Sequence, residues 1–150
     1  MNYHNILKEQ LDLFMHEIIS KSKEIFESSN YRHLNRLCEL DITILTVIYK
    51  KEEITAKEIS NILKMPKTTV VSAVKRMCNR GYIQRIPNQE DKREMKLILT
   101  MNGIEANREH DGYEEQILEF LVTKWDKDEQ KKLVDLLKGK VGNHAKEDSL

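Results

Sequence analysis

Proline and glycine are scarce in this 150-residue chain, which has two of the first and five of the second, so few positions force a helix to break. With a third of the residues charged as well, this favours a mostly α protein over a turn-rich sandwich or a disordered chain. The two cysteines, Cys38 and Cys78, are too few and too isolated for a disulfide framework, and neither belongs to a C-x-x-C pair, which fits a reducing compartment. No run reaches the roughly 18 apolar residues of a membrane span, and Met1 to Gln10 lack the short apolar block of a secretory signal. A soluble, cytoplasmic protein with no membrane partner is expected. Net charge is also missing, since 25 Lys and Arg meet 25 Asp and Glu, and that balance at first argues against a nucleic-acid partner.

The charge is segregated, however. Between Lys57 and Thr100 ten Lys and Arg face four Asp and Glu, a surplus of six, while residues 1–56 carry −2 and residues 101–150 carry −4. Phosphate responds to a local patch rather than to the total, so a basic middle between acidic flanks suits a chain with one DNA-facing surface.

At this length one folding unit is expected. From Tyr3 to about Ser28, Leu7, Leu11, Phe14, Ile18 and Ile25 recur at steps of four, three, four and seven, which predicts an amphipathic helix. Ile6, Met15, Ile19 and Phe26 widen its apolar stripe beyond what one neighbour would cover, and a helix from a second subunit is the natural complement. Leu34 to Lys50 predicts a second, more buried helix through Leu37, Leu40, Ile44, Leu45 and Ile48; Thr43 and Thr46 are poor helix formers, so burial must support it. Thr55 and Glu58 form a capping box that starts a short helix with Ile59, Ile62 and Leu63 inward. Lys64 and Met65 turn the chain, and Pro66 opens a helix from Lys67 to about Arg80 that ends at Gly81. Val70, Ala73, Val74 and Met77 form its inner face; Thr68, Ser72, Lys75 and Asn79 form the outer one, flanked by Lys67, Val71 and Arg76. Tyr82 to Ile86 and Met95 to Thr100 then alternate with period two around a loop at Pro87 to Glu90, predicting a β-hairpin with Arg85, Lys92, Arg93 and Lys96 on its tip and sides. Helix returns from Asn102 to Lys124, with Tyr113, Ile117, Phe120, Leu121 and Trp125 on one side. A last helix, capped by Asp126 and Glu129, runs through Leu133, Leu136, Leu137 and Val141.

Helix, tight turn, helix and basic hairpin together make a winged helix-turn-helix. A helix fits the major groove, where base edges are distinguishable, and a hairpin wing can follow the backbone or enter the minor groove. Small hydroxyl residues at the start of the second helix allow close approach, and its N-terminal amides favour phosphate.

Asp91-Lys92-Arg93 followed by Leu99-Thr100 and Gly103 has the spacing D-x-R then L-T-x-x-G, and with Lys67 to Val70, Arg76-Met77 and Gly81 to Ile83 it resembles the MarR-type transcriptional regulators. The matching stretch runs from about Leu40 to Gly103, with helices of the expected kind on both sides. The resemblance implies a mainly α fold with a small hairpin wing: a winged helix-turn-helix over about residues 34–100, flanked by dimerisation helices over about 1–30 and 102–142, all in one unit. It implies that Arg93 enters the minor groove and that Asp91 holds the wing through Arg93 or neighbouring amides. It implies further that Lys67, Thr68, Thr69, Ser72, Lys75, Arg76 and Lys92 meet DNA. Lys64 in the turn and Pro66 at the cap depart from the pattern, and Val71 and Ser72 replace more polar types, which suggests apolar contact with a thymine methyl. Leu7, Leu11, Phe14, Ile18, Ile117, Leu121, Leu133 and Leu137 are implied to form a homodimer interface. Two reading heads then meet half-sites about ten base pairs apart, in a pseudo-palindromic operator.

A small-molecule effector would enter a crevice lined by Met15, Tyr31, His33, Leu37 and Tyr113, for which core packing is the plain alternative. Cys78, near the end of the recognition helix, and Cys38, in the second helix, are weighed as redox sensors and set aside, because the oxidant-sensing relatives use a cysteine in the first helix. Of the scattered histidines, only His33 and His110, with Cys38 and Glu39, could gather round a metal; no metal site and no cofactor are expected. No phosphate loop, nucleophile-base set or metal-ligand helix motif is present, so no catalysis is expected. The alternatives to a repressor are a winged helix used as a protein-protein module and a ligand-binding dimer without DNA affinity.

Overall fold

The structure, a computed structural model, describes residues 2–140. Six α-helices and a small three-stranded antiparallel sheet follow one another as α1 (Tyr3–Ser28), α2 (Glu39–Lys51), β1 (Ile54–Thr55), α3 (Ala56–Leu63), α4 (Lys67–Asn79), β2 (Ile83–Pro87), β3 (Met95–Leu99), α5 (Met101–Val122) and α6 (Lys127–Lys138). The fold is thus mainly helical with a winged helix-turn-helix, as expected. Val141, assigned above to the last helix, lies outside the described residues. No helix among them is long and apolar enough to cross a membrane.

Two compact units can be distinguished, one of residues Phe26–Glu114 and one drawn from both chain ends, up to Ile25 and from Glu115 onward. Within the terminal unit Phe14 stacks obliquely on Trp125, with centroids 5.6 Å apart, and Lys124 lies 4.5 Å above the ring of Phe120 while pairing with Glu17. Asp126 caps α6 by accepting from the amides of Asp128 and Glu129, and Glu129 returns a bond to the amide of Asp126. Much apolar surface here is uncovered: Leu7, Leu11, Leu13, Met15 and Ile19 on α1 and Leu136 and Leu137 on α6 are all exposed.

The central unit holds the core. Ile44, Leu45 and Ile48 of α2, Ile59 of α3, and Val70, Ala73, Val74 and Met77 of α4 are at most 1% exposed, and Tyr82, Ile83, Leu97 and Ala106 close round them. Complete burial of an aliphatic side chain contributes about 1.5–3 kcal/mol, so this cluster, rather than helix propensity, fixes α2 despite its threonines. Thr43 returns its hydroxyl proton to the carbonyl of Glu39, and Thr46 donates to Asn107 of α5 at 3.1 Å. Ile62, expected inward, is exposed, because the eight-residue α3 turns only its Ile59 side fully into the core.

The start of the second helix needs correction. The second helix begins at Glu39, not Leu34: Leu34–Arg36 is a separate 3₁₀ turn, and Leu37 is extended. The carboxylate of Glu109 accepts the amides of Arg32, His33 and Leu34 at 2.8–3.0 Å and so holds this turn in place. Cys38 is accordingly an exposed N-cap, not a buried helical residue, and Asp41 accepts its amide. The expected hairpin forms from β2 and β3, and β1 extends it to a three-stranded sheet in the order β1-β3-β2, because Ile54 and Thr55 pair with Leu97 and Lys96.

The L-T-x-x-G spacing has a physical meaning here. The Thr100 hydroxyl donates to the carbonyl of Gly81 at 2.6 Å and accepts the amide of Gly103, capping α5 and tying it to the end of α4. A Cβ on Gly103 would lie 2.3 Å from the carbonyl oxygen of Tyr82, so only glycine permits that approach. Gly81, at φ +80°, ends α4 in the left-handed region that the sequence reserved for it.

Candidate nucleic-acid interface

Two capping devices aim α4. The capping box of Thr55 and Glu58 starts α3, with the Glu58 amide 3.2 Å from the Thr55 hydroxyl and the Thr55 amide 2.8 Å from the Glu58 carboxylate. These bonds from Thr55 hold the Glu58 carboxyl below its ordinary range. Lys64 then adopts left-handed backbone at φ 51°, an uncommon geometry for a side chain with a Cβ, and its successor's amide reaches back to the Ser60 carbonyl at 3.1 Å. Pro66 is the N-cap of α4; its carbonyl accepts from Thr69 and Val70, and its missing N–H leaves no donor stranded.

With Val70, Ala73, Val74 and Met77 buried, α4 turns Lys67, Thr68, Val71, Ser72, Lys75 and Asn79 outward, while Thr69 is half-buried. Arg76 is placed differently from its expected role. Its guanidinium donates to Asp41, which is 1% exposed, and lies 3.7 Å from the Cys38 sulfur. The bond to Asp41, opposed by partial burial, raises the affinity of Arg76 for its proton. Arg76 thus anchors α4 to the start of α2.

In the wing, the Asp91 carboxylate accepts the Arg93 amide at 3.0 Å and stands 3.9 Å from the Arg93 guanidinium, and its carbonyl accepts the Glu94 amide. Both expected modes of wing support are present together. They leave the Arg93 side chain 94% exposed. Lys92 is exposed beside it. Lys96 points elsewhere, pairing with Glu53 at 3.1 Å, a contact that raises its pKa.

Between α4 and the wing runs a cleft with Val71, Val74 and Leu97 in its wall and Lys57, Lys67, Arg85 and Arg93 along it. Lys57 and the placement of Arg85 were not anticipated as parts of the site. The alternation of β2 could have suggested Arg85, but nothing local to α3 marks Lys57. Lys67 is held by Glu94 across the cleft at 3.2 Å.

The expected crevice residues fall in both units, Met15 in the terminal one and the rest in the central one. His33 is buried and spends both ring nitrogens inside the protein, one 3.3 Å from the Tyr82 hydroxyl and the other 3.2 Å from Glu105, which commits it to structure. Tyr31 and Tyr113 form an aromatic group with Phe26, with centroids 5.6–6.1 Å apart, and Leu37 packs on the core. No metal site was expected; among the described residues His110, Asp111 and Glu114 of α5 bring ligand atoms within 4.8 Å of one another, with His110 half-buried and the two acids exposed.

A helix-turn-helix with a basic wing defines the fold class, a winged helix. Residues 34–94 match the model of the MarR family. The HTH-type transcriptional regulator SarZ of Staphylococcus haemolyticus is 26% identical over 126 residues, 82% of this chain and 83% of that protein. Among solved structures, Streptococcus pneumoniae FabT in complex with DNA is 20% identical with a TM-score of 0.71, covering 92% of this chain and 94% of that one. The YusO protein from Bacillus subtilis is 17% identical with a TM-score of 0.74, covering 93% and 96%. These structural likenesses show the same fold.

Proposed function

We propose that this protein is a cytoplasmic, sequence-specific duplex-DNA-binding transcriptional regulator that acts as a homodimeric repressor, with its DNA affinity modulated by a small-molecule effector. The observation that carries this is the outward face of α4, where Lys67, Thr68, Ser72 and Lys75 stand free of the core beside a wing whose Arg93 extends into solvent. Thr69 and Lys92 complete the contact set, and Asp91 shapes it. Arg76 serves as an anchor for α4 rather than as a reader of bases. The regulators among its relatives, and the DNA-bound FabT structure, support the same assignment.

Homodimerisation is supported by the exposed apolar side chains of the terminal unit, Leu7, Leu11 and Leu137 among them, because monomers seldom leave so many large apolar groups in water. Phe14, Ile18, Ile117, Leu121 and Leu133 are half-buried within one chain and would be covered further by a partner. The effector would meet Tyr31, Leu37 and Tyr113 of the central unit. No catalytic step is assigned.

The test is fluorescence anisotropy of the purified protein against duplexes tiled across the DNA upstream of its own gene, at several salt concentrations. Tight, tile-selective binding that falls steeply with salt is expected. Weak and equal binding to every tile, followed by capture of a specific protein partner, would overturn it.

A further inference from the structure

We propose that Glu94 is a built-in phosphate substitute: it holds Lys67 while the protein is free, must be displaced when a DNA strand enters the cleft between α4 and the wing, and thereby limits binding to non-operator DNA. This rests on the DNA-binding function proposed above. It assigns three residues beyond that reading, with Lys57 and Arg85 as phosphate contacts and Glu94 as their opponent.

The geometry follows from duplex anatomy. If a helix lies in the major groove and a wing in the adjacent minor groove, the sugar-phosphate strand dividing the two grooves must cross whatever lies between helix and wing. Here that is the cleft lined by Lys57 of α3, Lys67 of α4, Arg85 of β2 and Arg93 of the wing. These four cationic residues line it, and Lys57 and Arg85 have no ion-pair partner among the described residues. Glu94 is the one acid in the lining, and its carboxylate sits 3.2 Å from the Lys67 ammonium, where a phosphate oxygen would sit. The side chain of Glu94 is 27% exposed and that of Lys67 is 55% exposed, so the pair can be opened by an incoming strand without unfolding the wing.

A phosphate entering the cleft therefore meets one repelling charge and a lysine already engaged. Base contacts on an operator can offset that cost, whereas random DNA offers only its backbone. Because the cost falls equally on every duplex, Glu94 lowers occupancy of random DNA, where no base contacts make up the loss, without changing the ratio of the two affinities.

The test uses the full-length chain, a scrambled duplex and the tightest upstream tile, in salt-dependent anisotropy titrations of Glu94→Gln, Lys57→Gln, Arg85→Gln and Lys67→Gln, with melting temperatures as fold controls. Glu94→Gln should bind the scrambled duplex roughly three- to ten-fold tighter. That gain should shrink in the Lys67→Gln background to the part that comes from direct repulsion of phosphate by Glu94. Lys57→Gln and Arg85→Gln should each lower the slope of log affinity against log salt by about one, equally on both duplexes. If Glu94→Gln gains nothing, or gains the same with Lys67 removed, the phosphate-substitute role is overturned while DNA binding stands. Loss of all duplex binding by the wild-type chain would overturn both.

Discussion

Arg76 and Asp41 form an ion pair whose two ends differ sharply in exposure, the carboxylate at 1% and the guanidinium at 40%. One pair therefore links the start of α2 to α4, and Asp41 also accepts the Cys38 amide at the N-cap. Truncating Arg76 leaves a buried carboxylate with a single remaining donor in the protein. We expect Arg76→Ala to cost about 1–3 kcal/mol of stability in urea denaturation, less than for a fully buried pair because water reaches the guanidinium side. A loss of DNA affinity without any loss of stability would instead return Arg76 to the set of direct contacts.

Glu109 offers a stability effect with a defined pH dependence. Burial alone would raise its pKa, but bonds from the amides of Leu34, His33 and Arg32, together with nearby His33, outweigh that and hold it below the ordinary value of 4.5. A depressed carboxyl contributes stability above its unfolded pKa and loses it as pH falls through its folded pKa. Glu109→Gln should therefore be less stable by about 1 kcal/mol at neutral pH, and the deficit should shrink as pH falls below 4.5. Thermal melts of both proteins across pH 3–7 check the convergence; a deficit constant with pH would mean that charge plays no part.

Gly103 is tested by one methyl group. The added Cβ of Gly103→Ala meets a backbone carbonyl at 2.3 Å, which cannot swing aside as a side-chain tip can. A cost of about 1–3 kcal/mol is expected, typical of overpacking. The same change at Gly112, where nothing lies within 4 Å of the added atom, should be neutral or slightly stabilising, since alanine suits a helix better. Comparable destabilisation at both positions would show that helix context, not the Tyr82 carbonyl, sets the cost.

Arg93 separates binding from folding. Its side chain contributes almost nothing to the core, so Arg93→Ala should leave the melting temperature within a degree or so, as surface changes do, while weakening duplex binding roughly ten-fold. Unchanged affinity would remove the wing arginine from the interface.

Much of this architecture is legible locally. The spacing from Leu7 to Ile25, the Thr55-Glu58 and Asp126-Glu129 boxes, Gly81 after α4, and the alternation on either side of residues 88–94 each act within a few residues, so each could be placed before any coordinate was known. What escaped depends on distant partners. Glu109 holds the turn before α2 from 76 residues away, Asp41 pairs with Arg76 across 35, and Glu94 engages Lys67 across 27. Strand β1, at two residues, is too short to show a period, and its partner is supplied by the wing. The proposed DNA-facing surface was thus visible as a face of one helix and a charged loop, while the hold of Glu94 on Lys67 was not.

Thr55 ends β1, pairing with Lys96, and in the same step caps α3. Valine there would keep the strand and lose the cap; aspartate would keep the cap and weaken the strand. A chimera that exchanges this wing for a longer one must therefore carry the pairing partners Lys96 and Leu97 with it, or the graft will unseat the helix-turn-helix that it was meant to extend.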